Sequence, residues 1–177
     1  GILWVSGSPF SYRFDPKTGV YTELKDVPNT YGANLDHEGN IWFDEVGGAG
    51  RIFKVEYKNS KVTTWTPPPQ PGSRRRFQMD SNGTGWLAQY DRGQIVRLDT
   101  ETGKFTEIQL PGQMPSPYPV GIDTNHQVWY ASGLMDTGGR IDPATGKITE
   151  YPAPMVGNGM RELNNDPKGR MWFASPG

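Results

Sequence analysis

Tyr31, Arg75, Tyr118 and Arg161 each stand eleven residues before a tryptophan, and their side chains suggest anion chemistry. A guanidinium offers a planar fork of N–H donors that matches a carboxylate or a phosphate. Two arginines with tyrosines between them could therefore hold an oxyanion. More polar groups recur in the same register. Asn34, Gln78 and Asn164 stand eight residues before a tryptophan, and Glu45 and Gln89 stand three after one. Together these nine residues form a candidate binding rim. The competing assignment is structural, with the same groups hydrogen-bonding across strands and to water. Asp44-Glu45 supplies carboxylate oxygens of the kind a hard cation takes, which makes Glu45 a metal-ligand candidate. Two acids are too few for a dedicated site, so the pair is expected in an exposed loop. Acid–base chemistry has little to draw on. The chain has two histidines, His37 and His126, both expected in solvent-facing turns. With no cysteine, it carries neither disulfides nor thiolate metal sites. Gly47-Gly48-Ala49-Gly50 links two strands and lacks the helix N-terminus that a phosphate loop needs. Arg74-Arg75-Arg76 is too short a run, in a near-neutral chain, to mark a nucleic-acid surface.

The elements that must position these residues repeat. Trp4, Trp42, Trp86, Trp129 and Trp172 follow one another at steps of 38, 44, 43 and 43 residues. Asp36, Asp80, Asp123 and Asp166 each stand six residues before one of the last four. Between Asp and Trp lies a turn rich in Asn and Gly, residues that accept tight hairpin geometry. After the Trp comes a second hairpin, built on Asp15 to Gly19, Asp99 to Gly103 and Asp142 to Gly146, with Glu56 to Ser60 as its degenerate copy. Each unit thus holds four short strands. In the second they are expected near Tyr31–Asp36, Ile41–Asp44, Arg51–Glu56 and Lys61–Thr66. Pro-rich connectors, such as Pro67 to Gly72, stand outside the sheets because proline cannot donate to a ladder. No apolar pattern of helical period appears. Four antiparallel strands repeated at this period predict an all-β fold, a β-propeller of four-stranded blades with about four blades present. The units are expected at about 1–30, 31–74, 75–117 and 118–160, with a partial blade at 161–177. The repeated Trp are expected as core anchors between neighbouring sheets. Trp65, off this register, and Tyr90 and Met135, in loops after a Trp, are expected to face a partner.

Composition agrees with this reading. The chain has 23 Gly and 16 Pro, with 12% aromatic residues, which suits a turn-rich β protein and not a disordered one. The net charge of −1 gives no bulk attraction to nucleic acid or to an anionic membrane. No apolar run is long enough to span a bilayer as a helix. Both ends of the chain fall within a Trp strand, so a fragment, or the ordered part, of a longer chain is expected. The remainder of that chain, or a protein partner, would cover the open blade edges.

The run from Arg140 through Ile141-Asp142-Pro143-Ala144-Thr145-Gly146 to Pro154, and then Asp166-Pro167-Lys168-Gly169-Arg170-Met171-Trp172-Phe173, resembles the repeat of the virginiamycin B lyase (streptogramin B lyase) family. So does Asp36 through Trp42 to Glu45. The resemblance covers essentially the whole chain. It implies that the blades form an arc of a seven-bladed propeller in an extracytoplasmic protein. It also implies an elimination that opens a cyclic depsipeptide ester, with Mg²⁺ and a His base near the central channel. The family motif puts His eleven residues before the Trp and Glu three after it. Here the first position holds Tyr31, Arg75, Tyr118 and Arg161, and only Glu45 matches at the second. The visible repeats therefore lack the lyase's acid–base set. The expected function is a non-catalytic binding or assembly propeller within a longer exported protein. One alternative is a metal-dependent lyase with its catalytic residues in other blades. The other is a sensor that binds a small molecule or anion at the Arg/Tyr rim.

Overall fold

The computed structural model describes residues 1–69, 72–154, 157 and 159–175; Gln70 and Pro71, in the first Pro-rich connector, lie outside them. The chain divides into two compact units, Gly1–Gln70 and Pro71–Gly177.

The first unit holds two antiparallel sheets. Strands β1 (Leu3–Val5), β2 (Phe10–Asp15) and β3 (Val20–Pro28) form one, and β4 (Thr30–Leu35), β5 (Ile41–Glu45), β6 (Ile52–Val55) and β7 (Val62–Trp65) form the other. The second sheet lies within two residues of its expected strand limits. Leu24, Val27, Ile41, Phe43, Phe53 and Val55 make the core of this unit, with Trp4 packed against it.

The second unit holds three sheets. They are β8 (Arg74–Met79) to β11 (Phe105–Gln109) through β9 (Thr84–Gln89) and β10 (Gln94–Asp99); β12 (Pro117–Ile122) to β15 (Ile148–Pro152) through β13 (Val128–Ser132) and β14 (Thr137–Ile141); and the pair β16 (Glu162–Asn165) and β17 (Met171–Ala174). Every strand pairs with its neighbour in sequence. Trp86, Ala88, Ile95 and Leu110 pack with Val120, Val128, Tyr130 and Ile141, joining the two four-stranded sheets into one core. The first strands also adjoin: β12 runs beside both β8 and β16. The helical content of the described residues is one 3₁₀ turn at Tyr90–Arg92.

The hairpin chemistry explains the repeats. In the Asp-to-Gly turns, Gly19, Gly103 and Gly146 adopt φ of 72°, 71° and 71°, and their N–H groups bond the carbonyls of Asp15, Asp99 and Asp142 at 2.8, 2.9 and 2.8 Å. Ser60 takes the same left-handed conformation, at φ 60°, and bonds Glu56 at 2.9 Å. In the turn before each Trp, the Asp uses both oxygens. Oδ1 of Asp80 accepts the N–H groups of Asn82 and Thr84, and Oδ2 accepts the indole N–H of Trp86. Asp36 holds Trp42, Asp123 holds Trp129 and Asp166 holds Trp172 in the same way.

The tryptophans are unevenly covered. Trp86 is 1% exposed and Trp42 is 2% exposed, as expected of core anchors, whereas Trp172 on the two-stranded sheet is 58% exposed. Trp65 differs from expectation. It lies on Trp42 with ring centroids 5.1 Å apart and planes 22° apart, so it packs within its own sheet instead of facing a partner. Tyr151 on β15 stacks on Trp129 at 5.6 Å in the same manner.

Candidate functional site

The first strand of each four-stranded sheet carries an irregularity at the same place. The ladder shifts between Thr30 and Gly32 in β4, between Arg74 and Phe77 in β8, and between Pro117 and Val120 in β12. These bulges contain Tyr31, Arg75 and Tyr118. A bulge bends its strand and re-aims the side chain it carries, and bulges gather beside functional sites. The strand entries are pinned alongside: Ser73 accepts the N–H of Tyr90 at 3.0 Å, and Ser116 that of Gly133 at 2.9 Å. Arg161 stands just before β16 and donates its N–H to the carbonyl of Ala174 at 3.0 Å.

In the second unit these side chains meet. The guanidinium carbon of Arg75 lies 4.8 Å from the ring centre of Tyr90 and 5.4 Å from that of Tyr118. The guanidinium carbon of Arg161 lies 5.7 Å from the same Tyr118 ring. The two tyrosine rings meet edge to face, 5.9 Å apart at 88°. Cations attracted to ring faces at this range are held in place. Arg75 is half-buried and Arg161 exposed. Arg75 also donates to the carbonyl of Arg74 at 3.2 Å.

The acids around this cluster are engaged elsewhere. Glu162 pairs with Arg76. Asp91 accepts the hydroxyl and N–H of Ser73 at 2.6 and 2.7 Å. Those bonds, chiefly, with a smaller contribution from the charge of Arg75, hold the Asp91 carboxyl below the usual carboxylate range. Arg75 and Arg161 are thus left without an ion pair among the described residues, with the charge of Asp91 near Arg75.

Other rim candidates stand at positions set by the ladders. Gln78 and Asn164 lie directly across the ladder from Trp86 and Trp172, and Asn34 lies across from Trp42. Gln89 is 1% exposed and stands opposite Arg74 in the ladder. Tyr90, expected to face a partner, instead completes the Arg/Tyr cluster. Gly121 holds the place before Trp129 that Gln78 holds before Trp86, and the side chain of Leu163 fills the space beside it.

In the first unit the acidic pair is buried, against the expectation of an exposed loop: Asp44 is 1% exposed and Glu45 is 4% exposed. Both Glu45 oxygens face Arg51, at 2.6 Å to Nη2 and 3.1 Å to Nε, and the Arg51 N–H donates at 3.0 Å. Burial pushes the Glu45 carboxyl up, but the Arg51 bonds outweigh it and hold the group below its ordinary value. A carboxylate so engaged is a structural ion pair. Among the described residues no three His, Cys, Asp or Glu side chains gather as metal ligands. The Mg²⁺ that the family resemblance implies thus has no fitting donor set here. His37 and His126 are exposed in turns, as expected, and His126 takes a left-handed φ of 59°. No helix among the described residues is long and apolar enough to cross a membrane.

Comparison with solved structures extends this picture. A streptogramin B lyase structure matches with a TM-score of 0.87 at 24% identity, over 99% of this chain and 59% of that one. Virginiamycin B lyase from Staphylococcus aureus matches with a TM-score of 0.85 at 20% identity, over 99% of this chain and 60% of that one. An extracellular domain from B. thetaiotaomicron matches with a TM-score of 0.71 at 16% identity, over 99% of this chain and 24% of that one. These likenesses show the β-propeller fold. This chain spans about 60% of the length of the two lyase structures. No curated protein matches it. The sequence model of the virginiamycin B lyase family matches residues 21–176, and the chain belongs to that family.

Proposed function

We propose that this chain is a non-catalytic binding and assembly module of β-propeller blades within a longer, exported protein. The observation that carries the reading is the Arg75–Tyr118–Arg161 contact on the first strands of the second unit. The positions where the family motif has a His base hold guanidiniums and phenols instead. A guanidinium stays protonated throughout the physiological range, so it binds and orients but cannot abstract a proton. The absence of a fitting Mg²⁺ donor set among the described residues supports the same reading. The likeness to an extracellular domain supports export.

Assembly is supported by an open apolar face in the second unit. Trp172, Tyr151 and Phe173 are 58%, 42% and 37% exposed, and Trp129, Tyr151, Pro154 and Met160 line an apolar cavity of about 390 Å³ beside Phe173. Such a face is suited to cover by further blades or by a protein partner.

Family membership favours a second reading, a lyase whose acid–base residues lie in other blades. One experiment separates the two. A streptogramin B antibiotic is incubated with Mg²⁺ and the full-length protein that carries these blades. Elimination leaves the mass unchanged, so ring opening is read by chromatographic separation of the linear product. The binding module leaves the ring closed. Ring opening by the full-length protein would overturn the proposal.

A further inference from the structure

We infer that Arg75 and Arg161, both held against the Tyr118 ring, form a site for the oxyanion of a small organic ligand, a carboxylate or a phosphate ester. The inference rests on the binding reading above and names its ligand class. Three independent features converge on it.

The first is backbone design. The ladder is irregular at Arg74/Phe77 and at Pro117/Val120, where Pro119 cannot donate to it, and these bulges carry Arg75 and Tyr118. The second is charge. Among the described residues neither Arg75 nor Arg161 makes an ion pair; Glu162 is paired with Arg76, and Asp91, bonded to Ser73, acts on Arg75 only as a nearby charge. Two cations drawn to one ring repel each other, and an anion between them turns that repulsion into attraction. The third is donor geometry. A ring attracts a guanidinium without taking up its N–H donors, which can still grip an oxyanion with two parallel bonds. One Arg75 donor is spent on the Arg74 carbonyl. Arg161, exposed, is the residue an incoming ligand meets first.

The test is a titration at low ionic strength with inorganic phosphate, phenyl phosphate and benzoate, followed through the Nε–H resonances of the arginines. Saturable binding of at least one probe is expected, with the Arg75 and Arg161 signals moving together. Benzoate alone would assign a carboxylate ligand, and the phosphates alone a phosphate ester. Arg161→Ala and Arg75→Ala should each weaken binding about tenfold or more, the scale of a charged hydrogen bond. Arg75→Lys should also weaken it, because the charge stays and the fork goes. Arg97→Ala, which removes a guanidinium over Trp86 outside the cluster, should leave binding unchanged. Melting temperatures of the variants separate lost binding from lost folding. No saturation with any probe, or an equal loss in Arg97→Ala, would overturn the site. Ring opening in the lyase assay with anion binding intact would sink the binding reading alone. Absent anion binding with the ring left closed would sink this inference alone.

Discussion

Asp80 holds Trp86 from six residues away: its Oδ2 accepts the indole N–H at 3.1 Å while its Oδ1 accepts two turn N–H groups at 2.9 Å each. One carboxylate thus closes a hairpin and fixes the ring that anchors the next sheet. Asp80→Ala removes all three acceptors and leaves a buried indole N–H unpaired. We expect a loss of about 2–4 kcal/mol by urea denaturation. Asp166→Ala breaks the same set of bonds around the exposed Trp172 and should cost visibly less. Equal losses would show that burial of the ring does not set the energy.

Stability should fall in acid. The carboxyls of Asp36 and Glu45 lie below their ordinary values of 3.8 and 4.5 in the folded chain. For Asp36, burial opposes the shift, and bonds from Trp42 and Asn40 with the charge of Lys54 outweigh it. The unfolded chain therefore takes up protons first. This stabilisation is complete above about pH 4.5 and is lost as pH falls through the folded values. Urea midpoints at pH 7, 4 and 3 should decline in that order. Replacing both groups, as Asp36→Asn with Glu45→Gln, should lower the midpoint at pH 7 and flatten the decline. An unchanged slope in the double variant would refute the assignment.

His126 occupies, at φ 59°, the turn position that Gly39, Gly83 and Gly169 fill in the other units at 84°, 78° and 76°. A side chain held in the left-handed region costs on the order of 1 kcal/mol. His126→Gly should raise stability by about that amount, less what the 3.2 Å contact of Ser81 with its ring contributes. Ser60→Gly should act in the same direction. A lower melting temperature for both would show that the strain is absent.

Gly85 is required by packing and not by its backbone angle. A Cβ there would come within 2.6 and 2.7 Å of the Phe77 ring, which is 1% exposed and has no room to move. Gly85→Ala should cost about 1–3 kcal/mol by overpacking. Adding Phe77→Leu to Gly85→Ala should recover part of that loss, which a backbone origin for the effect would not allow.

The strands and turns were legible in the sequence because each hairpin is local. Even Ser60 could be placed where its sister copies carry Gly, since the turn's register survives the substitution. Relationships that cross strands were less legible. The constant six-residue step from Asp to Trp was read as turn chemistry alone, although a turn does not require a fixed distance to an aromatic ring; that constancy was the available signal for the indole bond. Trp65 was assigned to a partner because its contact with Trp42 depends on the register of three strands. Glu45 looked exposed beside a Gly-rich loop, yet that loop folds Arg51 back onto it. Of the rim, Arg75, Tyr118 and Arg161 were legible from register. Pro117 and Pro119 were a signal for the bulge around Tyr118, whereas the bulge around Arg75 has no glycine or proline to mark it, and Tyr90 joins them through a 3₁₀ turn that no periodicity announces.

The strict neighbour-to-neighbour pairing of the strands has a consequence for how the protein comes into being. No strand waits for a distant stretch of chain, so the entropy of loop closure stays small at every step. Each sheet can form soon after its last residue leaves the ribosome, and within the second unit the β8–β11 sheet can serve as the surface on which the β12–β15 sheet condenses. Synthesis order and assembly order are thus the same, and the growing polypeptide presents one unfinished edge at a time.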